Sequence, residues 1–224
     1  MNRSQKIIES WQANAEQWIA TIDNEEIESR KLVTNTAIVE AVCSYNFKKV
    51  LDIGCGEGWL ARTLRAKGLN AFGVDGIKEL VDAAIQKDGP YYFHYTYKEI
   101  ADQTSLPVPF EAAIINFALI DKEDTERLIH SIPFLLHSKA YLFIQTLHPL
   151  AVSINEEYVS GWKEGSWNGM KRNFVLPYQW YFRTMADWIT LFKEAGFELE
   201  KMVEPLHPET KKPLSVIFVL RLNK

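Results

Sequence analysis

A short run that combines one acid with three glycines is the most informative feature of the sequence. Residues 50–58 read VLDIGCGEG, so Asp52 precedes glycines at the alternate positions 54, 56 and 58. Glycine is needed where the backbone must approach a ligand closely or adopt a positive φ. A hydrophobic strand that passes through such a turn into a helix therefore predicts a ligand site at this point of the chain.

The spacing of these glycines differs from that of the dinucleotide fingerprint GxGxxG. The third glycine of that fingerprint would fall at position 59, which holds Trp59. Asp52 would also lie beside the negative pyrophosphate of a dinucleotide, where like charges repel. The acid instead favours a ligand with positive charge, such as S-adenosylmethionine (SAM), whose α-amino group and sulfonium are both cationic.

A second acid, Asp75, ends the next predicted strand in the sequence Gly73-Val74-Asp75. It lies 17 residues beyond Gly58. A carboxylate at this distance from the glycines can accept hydrogen bonds from both ribose hydroxyls. Asp75 therefore indicates an adenosine ligand, and it fits NAD and SAM equally well.

Together these residues resemble the first two motifs of the class I SAM-dependent methyltransferases, (D/E)xGxGxG followed by an acid. The likeness covers residues 49–224 and implies SAM as cofactor and S-adenosylhomocysteine (SAH) as product. It implies that the glycine loop approaches the methionine portion of SAM, that Asp52 orients the amino group and that Asp75 binds the ribose. The other cofactor-binding residues expected are Trp18, Arg30, Gly54, Cys55, Gly56, Gly58, Gly76, Thr96, Tyr97, Asn116 and Phe117.

Two of these expectations concern the segments after the third and fourth strands. The family often has an Asp or Asn for the adenine amino group after the third strand, but the sequence there is Thr96-Tyr97-Lys98-Glu99-Ile100. We therefore expect adenine to be recognised by backbone groups, with Thr96 or Tyr97 packing nearby. Asn116 and Phe117 match the position where the family lines its methyl-transfer channel. The (D/N)PPY tetrapeptide of DNA amino-methyltransferases is missing, which disfavours a DNA base as acceptor.

The N-terminal region covers the SAM pocket in related proteins and contributes two of the candidates. Arg30 is expected either to pair with the methionine carboxylate of SAM or to be solvated at the surface. Trp18 is expected either to close the pocket or to pack in the core. Cys55 is expected to be a small packed side chain within the glycine loop rather than a reactive thiol.

Three residues are candidates for catalysis or acceptor binding. His148 ends the fifth strand at the expected rim of the crevice, and its near-neutral titration suits a general base. A histidine at a strand end can equally serve only to bind loop backbone. Tyr181 and Arg183 lie in an aromatic segment before a predicted helix. They could contact the acceptor, or the segment could act only as a hydrophobic staple that packs against the start of that helix.

Hydrophobic periodicity predicts the elements that position these residues. Five strands alternate with helical segments, which indicates a parallel, doubly wound sheet, and two final strands joined by a Pro-rich loop indicate an antiparallel hairpin. The fold class predicted is α/β, with a seven-stranded, mostly parallel sheet whose last strand is antiparallel. The seven strands predicted are Lys49–Ile53, Asn70–Val74, Tyr91–Tyr95, Ala112–Phe117, Ala140–Thr146, Phe197–Val203 and Ser215–Leu222.

The chain is predicted to form one domain over residues 1–224, with two additions to the sheet. Residues 1–46 form an N-terminal helical cap, with helices around residues 11–19 and 27–42. Residues 147–184 form an insertion after the fifth strand that is rich in aromatic residues and far longer than an ordinary connection. Because loops after the carboxyl ends of strands face the ligand crevice, this insertion is a candidate lid or substrate platform.

Composition limits the classes of partner. The formal net charge is -4, so there is no global positive field to attract DNA. Two cysteines without a metal-binding spacing indicate a reducing compartment and no metal site. We expect no signal peptide and no membrane span, and hence a cytoplasmic protein. The sequence leaves the oligomeric state open between monomer and homodimer.

The function predicted is methyl transfer from SAM to an oxygen or nitrogen, less readily a carbon, of a small-molecule acceptor. Three alternatives stay open at this point. They are a non-catalytic SAM-binding protein, a protein or tRNA methyltransferase, and a nicotinamide oxidoreductase, which the position of Asp52 and the glycine spacing disfavour.

Overall fold

The structure is a computed structural model that describes residues 3–102, 105–153 and 157–223. Residues 1–2 of the expected cap and residues 154–156 of the expected insertion lie outside the described residues.

The described residues form nine strands and eight α-helices, with a π-helix at Arg30–Thr34 and a 3₁₀ helix at Ile132–Leu135. The strands are β1 (Lys49–Ile53), β2 (Asn70–Asp75), β3 (Tyr92–His94), β4 (Phe110–Asn116), β5 (Leu136–Leu147), β6 (Gly161–Glu164), β7 (Gln179–Phe182), β8 (Phe197–Val203) and β9 (Ser215–Leu222). The α-helices are α1 (Arg3–Asp23), α2 (Asn35–Cys43), α3 (Trp59–Ala66), α4 (Lys78–Asp88), α5 (Tyr97–Ala101), α6 (Glu123–Ser131), α7 (Pro149–Val152) and α8 (Met185–Glu194).

Seven of the strands form one sheet in the order β3-β2-β1-β4-β5-β9-β8. The first five are mutually parallel, and β9 runs antiparallel to both of its neighbours. The predicted fold class is therefore confirmed. The strand order reverses between β1 and β4, and ligands bind at such a switch point, beyond the carboxyl ends of the strands.

Helices cover both faces of the sheet because its central strands are apolar on both sides. Successive residues of a strand point to opposite faces. Leu51 and Ile53 pack towards α6 and α8, whereas Val50 packs towards α2, α3 and α4. Asp52 shares the face of Val50 and is thereby directed towards the side of the sheet that α2, α3 and α4 cover.

The ends of four strands differ from the prediction. Strand β2 ends at Asp75 rather than Val74. Strand β5 begins at Leu136 rather than Ala140, because the three residues after Leu136 are polar and exposed and give no strand pattern. Strand β3 is shorter at both ends, and β4 begins at Phe110 rather than Ala112. The helix expected over residues 27–42 is present over residues 28–43, but its Arg30–Thr34 part is a π-helix that leads directly into α2.

The insertion after β5 contains a two-stranded sheet that the sequence analysis did not predict. Strands β6 and β7 pair antiparallel, with Trp162 opposite Tyr181. The rings of these two residues meet edge to face, with their centroids 5.5 Å apart. Cross-strand aromatic pairs of this kind stabilise a hairpin that is otherwise too short to persist alone.

Helix α1 and the insertion are joined by a buried hydrogen-bond network around Asn14. The Asn14 side chain is fully buried. Its Nδ2 donates to the Leu176 carbonyl at 2.9 Å, and its Oδ1 accepts from the Val175 amide at 2.8 Å. Ser10 Oγ donates to the same Leu176 carbonyl at 2.7 Å. The insertion is therefore docked on α1 in this structure, and does not extend freely from the sheet.

An aromatic cluster and an ion pair extend this contact. Trp167 lies 5.3 Å from Trp11, measured between ring centroids, and stacks on Phe174 at 4.4 Å. At the other end, the Arg172 guanidinium makes two hydrogen bonds to the Glu26 carboxylate, at 2.9 and 2.8 Å. We refer to α1 together with residues 157–184 as the cap.

Within the described ranges, no helix is long and apolar enough to cross a membrane.

Replacement of Asn14 by alanine should loosen the cap without unfolding the sheet. The Val175 amide then loses its partner, which costs about 1–3 kcal/mol for a buried group. We expect faster amide hydrogen exchange and faster proteolysis at residues 165–178 in Asn14→Ala. Asn24→Ala is the matched control. Each of these two asparagines donates from Nδ2 to the carbonyl four residues earlier, but Asn24 is exposed. Equal exchange in the two variants would contradict the prediction.

Candidate active site

An open cavity of about 1040 Å³ lies beyond the carboxyl ends of β1, β2 and β4, under helix α1. Eleven of the residues that the sequence predicted for cofactor binding line it. They are Trp18, Arg30, Gly54, Cys55, Gly56, Asp75, Gly76, Thr96, Tyr97, Asn116 and Phe117. The structure thus brings together residues from the cap, the glycine loop and three strand ends.

The glycine loop lies so close to its surroundings that a side chain is excluded at Gly54. This residue has a φ of 72°, and a Cβ built on it would lie 2.3 Å from the Ala118 Cβ. Its amide donates to the Val74 carbonyl at 2.8 Å, which ties the loop to β2. The backbone of the loop is therefore held in place and faces the cavity directly.

Gly58 has a different role from the one that the resemblance implies. It does not line the cavity. Gly58 precedes helix α3 with a φ of 86°, and a Cβ there would lie 2.6–2.7 Å from the Tyr92 ring. Its lack of a side chain makes room for Tyr92 and permits the left-handed turn into the helix.

Asp75 joins the glycine loop to the end of β2. Its Oδ2 accepts from the Gly56 amide at 2.8 Å, and its Oδ1 accepts from the Ile77 amide at 2.9 Å. Burial raises the pKa of Asp75, while these backbone donors act in the opposite direction. A carboxylate oxygen can accept more than one hydrogen bond, so Asp75 retains capacity for a ligand.

Asp52 is buried behind the glycine loop with only 2% of its surface exposed. Its Oδ1 has no hydrogen-bond partner among the described residues. Burial, assisted by the negative charge of Asp75, raises the pKa of Asp52 to about 8, and Arg30 opposes this effect. An unpaired buried carboxyl is costly to the fold, so its retention points to a partner supplied from outside the chain.

Arg30 is the cationic counterpart of Asp52 in this region. Its guanidinium lies 4.9 Å from the centroid of the Trp59 ring and 5.8 Å from that of Trp18. Its Nε donates to the Asn35 Oδ1 at 3.2 Å, but its buried Nη2 has no partner within the described residues. Burial lowers the pKa of Arg30 to about 10. The sequence left open whether Arg30 is solvated at the surface. Its Nη2 is buried, so this atom is not solvated.

Glu57, which the sequence analysis did not single out, anchors the glycine loop by ion pairs. Its carboxylate is completely buried and contacts the Arg62 guanidinium and the Lys87 ammonium, both at 2.7 Å. Lys87 also pairs with Asp23 at the end of α1, at 2.5 Å. Lys87 therefore connects the end of α1 to the loop. These residues are too far apart in sequence, and belong to too many elements, for a motif to reveal them.

The segments after β3 and β4 meet at one wall of the cavity. Thr96 begins helix α5 with a capping box, in which Glu99 completes the reciprocal bonds. The Tyr97 hydroxyl donates to the Ala118 carbonyl at 2.9 Å. Phe117 has a φ of 55°, and its amide donates to the Gln145 carbonyl at 2.8 Å. A non-glycine residue in this conformation is strained and is held by its surroundings.

Cys55 is buried, with its thiol directed into the protein rather than to solvent. Burial, followed by the charges of Asp75 and Asp52, raises the pKa of this thiol well above its ordinary value. The thiolate is the reactive form of cysteine, so this environment favours the packing role.

His148 is not brought into the cavity. It is 1% exposed, and its Nε2 lies 2.7 Å from the Glu204 Oε1, in the connection between β8 and β9. Its Nδ1 is buried without a partner among the described residues. His148 thus lies at the strand end that the sequence predicts, but its ring contacts Glu204 and does not line the cavity.

Tyr181 and Arg183 likewise lie outside the cavity, but both contact the loop that lines it. The Tyr181 amide donates to the Ile120 carbonyl at 2.7 Å. The Arg183 guanidinium donates to the carbonyls of Asp121, at 3.3 Å, and Lys122, at 3.0 Å. In the structure, these two residues hold the main chain of residues 120–122 in position.

The sequence analysis missed one side of the cavity. It is formed by Ser4, Ile7 and Ile8 of α1 and by Ile120 and Asp121 of the loop after β4. Periodicity predicts that the apolar residues of α1 face inwards, but not that they face a cavity. No sequence signal places the first turn of α1 against the loop after β4.

Comparison with known proteins agrees with this geometry. Residues 20–202 match a family model described as a methyltransferase domain. An uncharacterized protein of Haemophilus influenzae is 22% identical over 206 residues, which cover 80% of this chain and 79% of that protein.

Solved structures show the same fold. An S-adenosylmethionine-dependent methyltransferase from Mesorhizobium loti superposes with a TM-score of 0.60 and 19% identity, covering 82% of this chain and 97% of that chain. One from Clostridium acetobutylicum superposes with a TM-score of 0.62 and 12% identity, covering 93% and 98% of the two chains. Because the family model spans the glycine loop and both acids, the chain belongs to the methyltransferase domain family, and the resemblance to class I SAM-dependent methyltransferases is confirmed.

Proposed function

We propose that the chain binds SAM in this cavity, through the glycine loop, Arg30, Asp52, Asp75 and the Thr96–Tyr97 segment, and transfers its methyl group to an oxygen or nitrogen of a small molecule. The observation that carries this proposal is a pair of unsatisfied buried groups of opposite charge. Asp52 Oδ1 lacks a donor and Arg30 Nη2 lacks an acceptor among the described residues. The two side chains influence each other's pKa without forming an ion pair.

The amino-acid portion of SAM fits this pair of groups. Its α-ammonium matches the Asp52 carboxylate, and its carboxylate matches the Arg30 guanidinium, which recognises carboxylates well. Asp75 has acceptor capacity for the ribose hydroxyls, and Thr96 and Tyr97 line the space beyond it. When bound, SAM supplies a methyl group that is already activated by the positive charge on its sulfur.

The protein's contribution is alignment of the reactants and exclusion of water. The cap covers the cavity with Trp11, Trp18 and the apolar side chains of α1. A desolvated, aligned pair of reactants lowers the barrier by avoiding the entropy and solvent reorganisation of a free encounter. The proposal assigns no proton transfer to His148, because its Nε2 is engaged with Glu204.

Two features support a small molecule as acceptor. The cavity is covered by α1, and the insertion is docked on that helix rather than extended from the sheet as the wall of a long groove. The chain carries a net charge of -4, which gives no general attraction to a polynucleotide. Compact ligands are typically bound in concave, mainly apolar cavities such as this one.

Replacement of Asp52 by asparagine should stabilise the free protein and weaken cofactor binding. A carboxyl whose pKa is raised by folding destabilises the folded state as pH rises from its unfolded value near 4 towards its folded value of about 8. At pH 7.5 we expect Asp52→Asn to raise Tm by about 4 °C or more, with a smaller gain at pH 5. SAH affinity should fall about tenfold, because a charged hydrogen bond is lost.

Thermal melts at both pH values and calorimetric titration with SAH measure these effects. Glu198→Gln is the control, since it removes an exposed carboxyl on β8, which lies at the opposite edge of the sheet from β3 and β2. A lower Tm at pH 7.5, or unchanged SAH affinity, would show that Asp52 does not have the role proposed.

Removal of the Arg30 guanidinium should weaken recognition of the amino-acid portion of the ligand and leave recognition of the adenosine portion unchanged. SAH carries the amino-acid portion, and 5′-methylthioadenosine lacks it. We expect wild-type protein to prefer SAH, and Arg30→Met to reduce that preference about tenfold while 5′-methylthioadenosine binds as before. Arg127→Met, which alters an exposed arginine, should keep the wild-type preference. An undiminished preference in Arg30→Met would contradict this role.

Methyl transfer itself can be followed with methyl-labelled SAM and whole-cell extract. We expect labelled product in the small-molecule fraction, resistant to protease and nuclease. An Asp75→Asn variant should give much less label, because the loop and the donor site both depend on that carboxylate. Label in protein or RNA, or no label at all, would refute the proposed small-molecule transfer.

A further inference from the structure

The part of the cavity not assigned to SAM has a definite chemical character. Its wall is formed by Ile7 and Ile8 of α1 and by Asn116, Ile120 and Asp121 at and after the end of β4. The aliphatic residues make it largely apolar, and the carboxylate of Asp121 gives it one charged group. If SAM occupies the glycine-loop side, as proposed above, this wall faces the methyl acceptor.

Asp121 is 5% exposed, and its carboxylate makes hydrogen bonds only to neutral donors among the described residues. Its Oδ2 accepts from the Ser4 hydroxyl at 3.1 Å, and its Oδ1 accepts from the Asp124 amide at 2.7 Å. Glu123 and Asp124 add negative charge nearby, and burial raises the pKa of Asp121. Within the part of the chain that the structure describes, the carboxylate therefore has no cation of its own.

Arg183 is the nearest candidate for a compensating charge, but its guanidinium is directed elsewhere. It donates to the main-chain carbonyls of Asp121 and Lys122 and lies 3.4 Å from the Glu126 Oε1. The arginine thus fixes the loop and pairs with Glu126, and it makes no hydrogen bond to the Asp121 carboxylate within the described residues.

A second, independent feature of the same wall points to a ligand that donates hydrogen bonds. The Asn116 Oδ1 is buried and has no partner among the described residues. Buried acceptors are rarely left unsatisfied, so this oxygen indicates a donor on a bound molecule. Asn116 ends β4, five residues before Asp121, and both residues line the cavity.

We propose that the methyl acceptor is a small primary or secondary amine on an apolar body, with its nitrogen held by Asp121. The carboxylate attracts the ammonium form, Asn116 accepts a second N–H, and Ile7, Ile8 and Ile120 contact the apolar body. An anionic acceptor would be repelled by Asp121 and Asp124. This inference rests on the proposed function, because it assumes that SAM occupies the other side of the cavity.

Transfer to such an amine balances without another reactant. The ammonium proton passes to the Asp121 carboxylate, which leaves a lone pair on nitrogen. A bond then forms between this nitrogen and the methyl carbon while the carbon–sulfur bond of SAM breaks, and its electron pair stays on sulfur. The products are the methylated ammonium ion and SAH, and the proton taken up by Asp121 leaves to solvent. Asp121 is thus a catalytic residue, since it contacts the acceptor nitrogen.

Three probes of matched shape test this charge preference. Calorimetric titration of the SAH-saturated protein with 2-phenylethylamine, 2-phenylethanol and 3-phenylpropanoate should show the amine bound about tenfold more tightly than the alcohol, and the carboxylate bound most weakly. Asp121→Asn should reduce affinity for the amine to that for the alcohol. Glu123→Gln removes the exposed carboxylate two positions away and should keep the wild-type order.

The outcomes separate this proposal from the proposed function. Equal affinity for the three probes, preference for the carboxylate, or failure to bind the amine would overturn the amine proposal while SAH still binds. Retention of the amine preference in Asp121→Asn would overturn the role of that residue. Failure of the wild-type protein to bind SAH would instead refute the proposed function. If Asp121→Asn does not fold, the order of the three probes on the wild-type protein still decides the acceptor class.

Discussion

The burial of carboxylates at the ends of two neighbouring parallel strands is the constraint on which the rest of the structure depends. Asp52 and Asp75 are both surrounded by protein, and only Asp75 has backbone donors for its oxygens. Placing acids so close together in a low-dielectric region is unfavourable unless a cation or several donors compensate. The Gly56 amide of the glycine loop donates to Asp75, and the charge of Arg30 partly offsets that of Asp52. The buried Glu57 adds to the negative charge and is itself paired with Arg62 and Lys87.

The cap covers a cavity that would otherwise be exposed to solvent at the carboxyl ends of the strands. Helix α1 precedes the sheet in sequence, whereas the insertion follows β5, yet Asn14 and Ser10 join them by bonds to main-chain groups. Lys87 links the far end of the same helix to the glycine loop. One helix therefore contacts both the region that we assign to SAM and the region that we assign to the acceptor.

Much of the fold could be predicted from sequence because its signals are local. Hydrophobic runs separated by helical patterns gave all seven strands of the main sheet, and of the motif residues Gly54 and Asp75 line the cavity. Asp52 ends the strand before the glycine loop but is not among the lining residues. The hairpin of β6 and β7 was missed because its stability comes from pairing across a long loop and from docking on α1. His148 was placed at the correct strand end, but the direction of its ring depends on Glu204, a distant residue that no motif specifies. Asp121 gave no signal either, since its importance arises only from contact with α1.

The loop that carries Asp121 is held mainly through its main chain. Tyr181 and Arg183 bind the carbonyls of residues 120–122, and a side-chain bond, from the Asp124 amide to the Asp121 carboxylate, supplements these main-chain contacts. Substitution of Ile120, or of Asp121 by a residue that still accepts the Asp124 amide, can then alter selectivity while the backbone keeps its course. Such a separation of scaffold from chemistry gives evolution, or a protein engineer, a surface whose preference can be rewritten without rebuilding the domain.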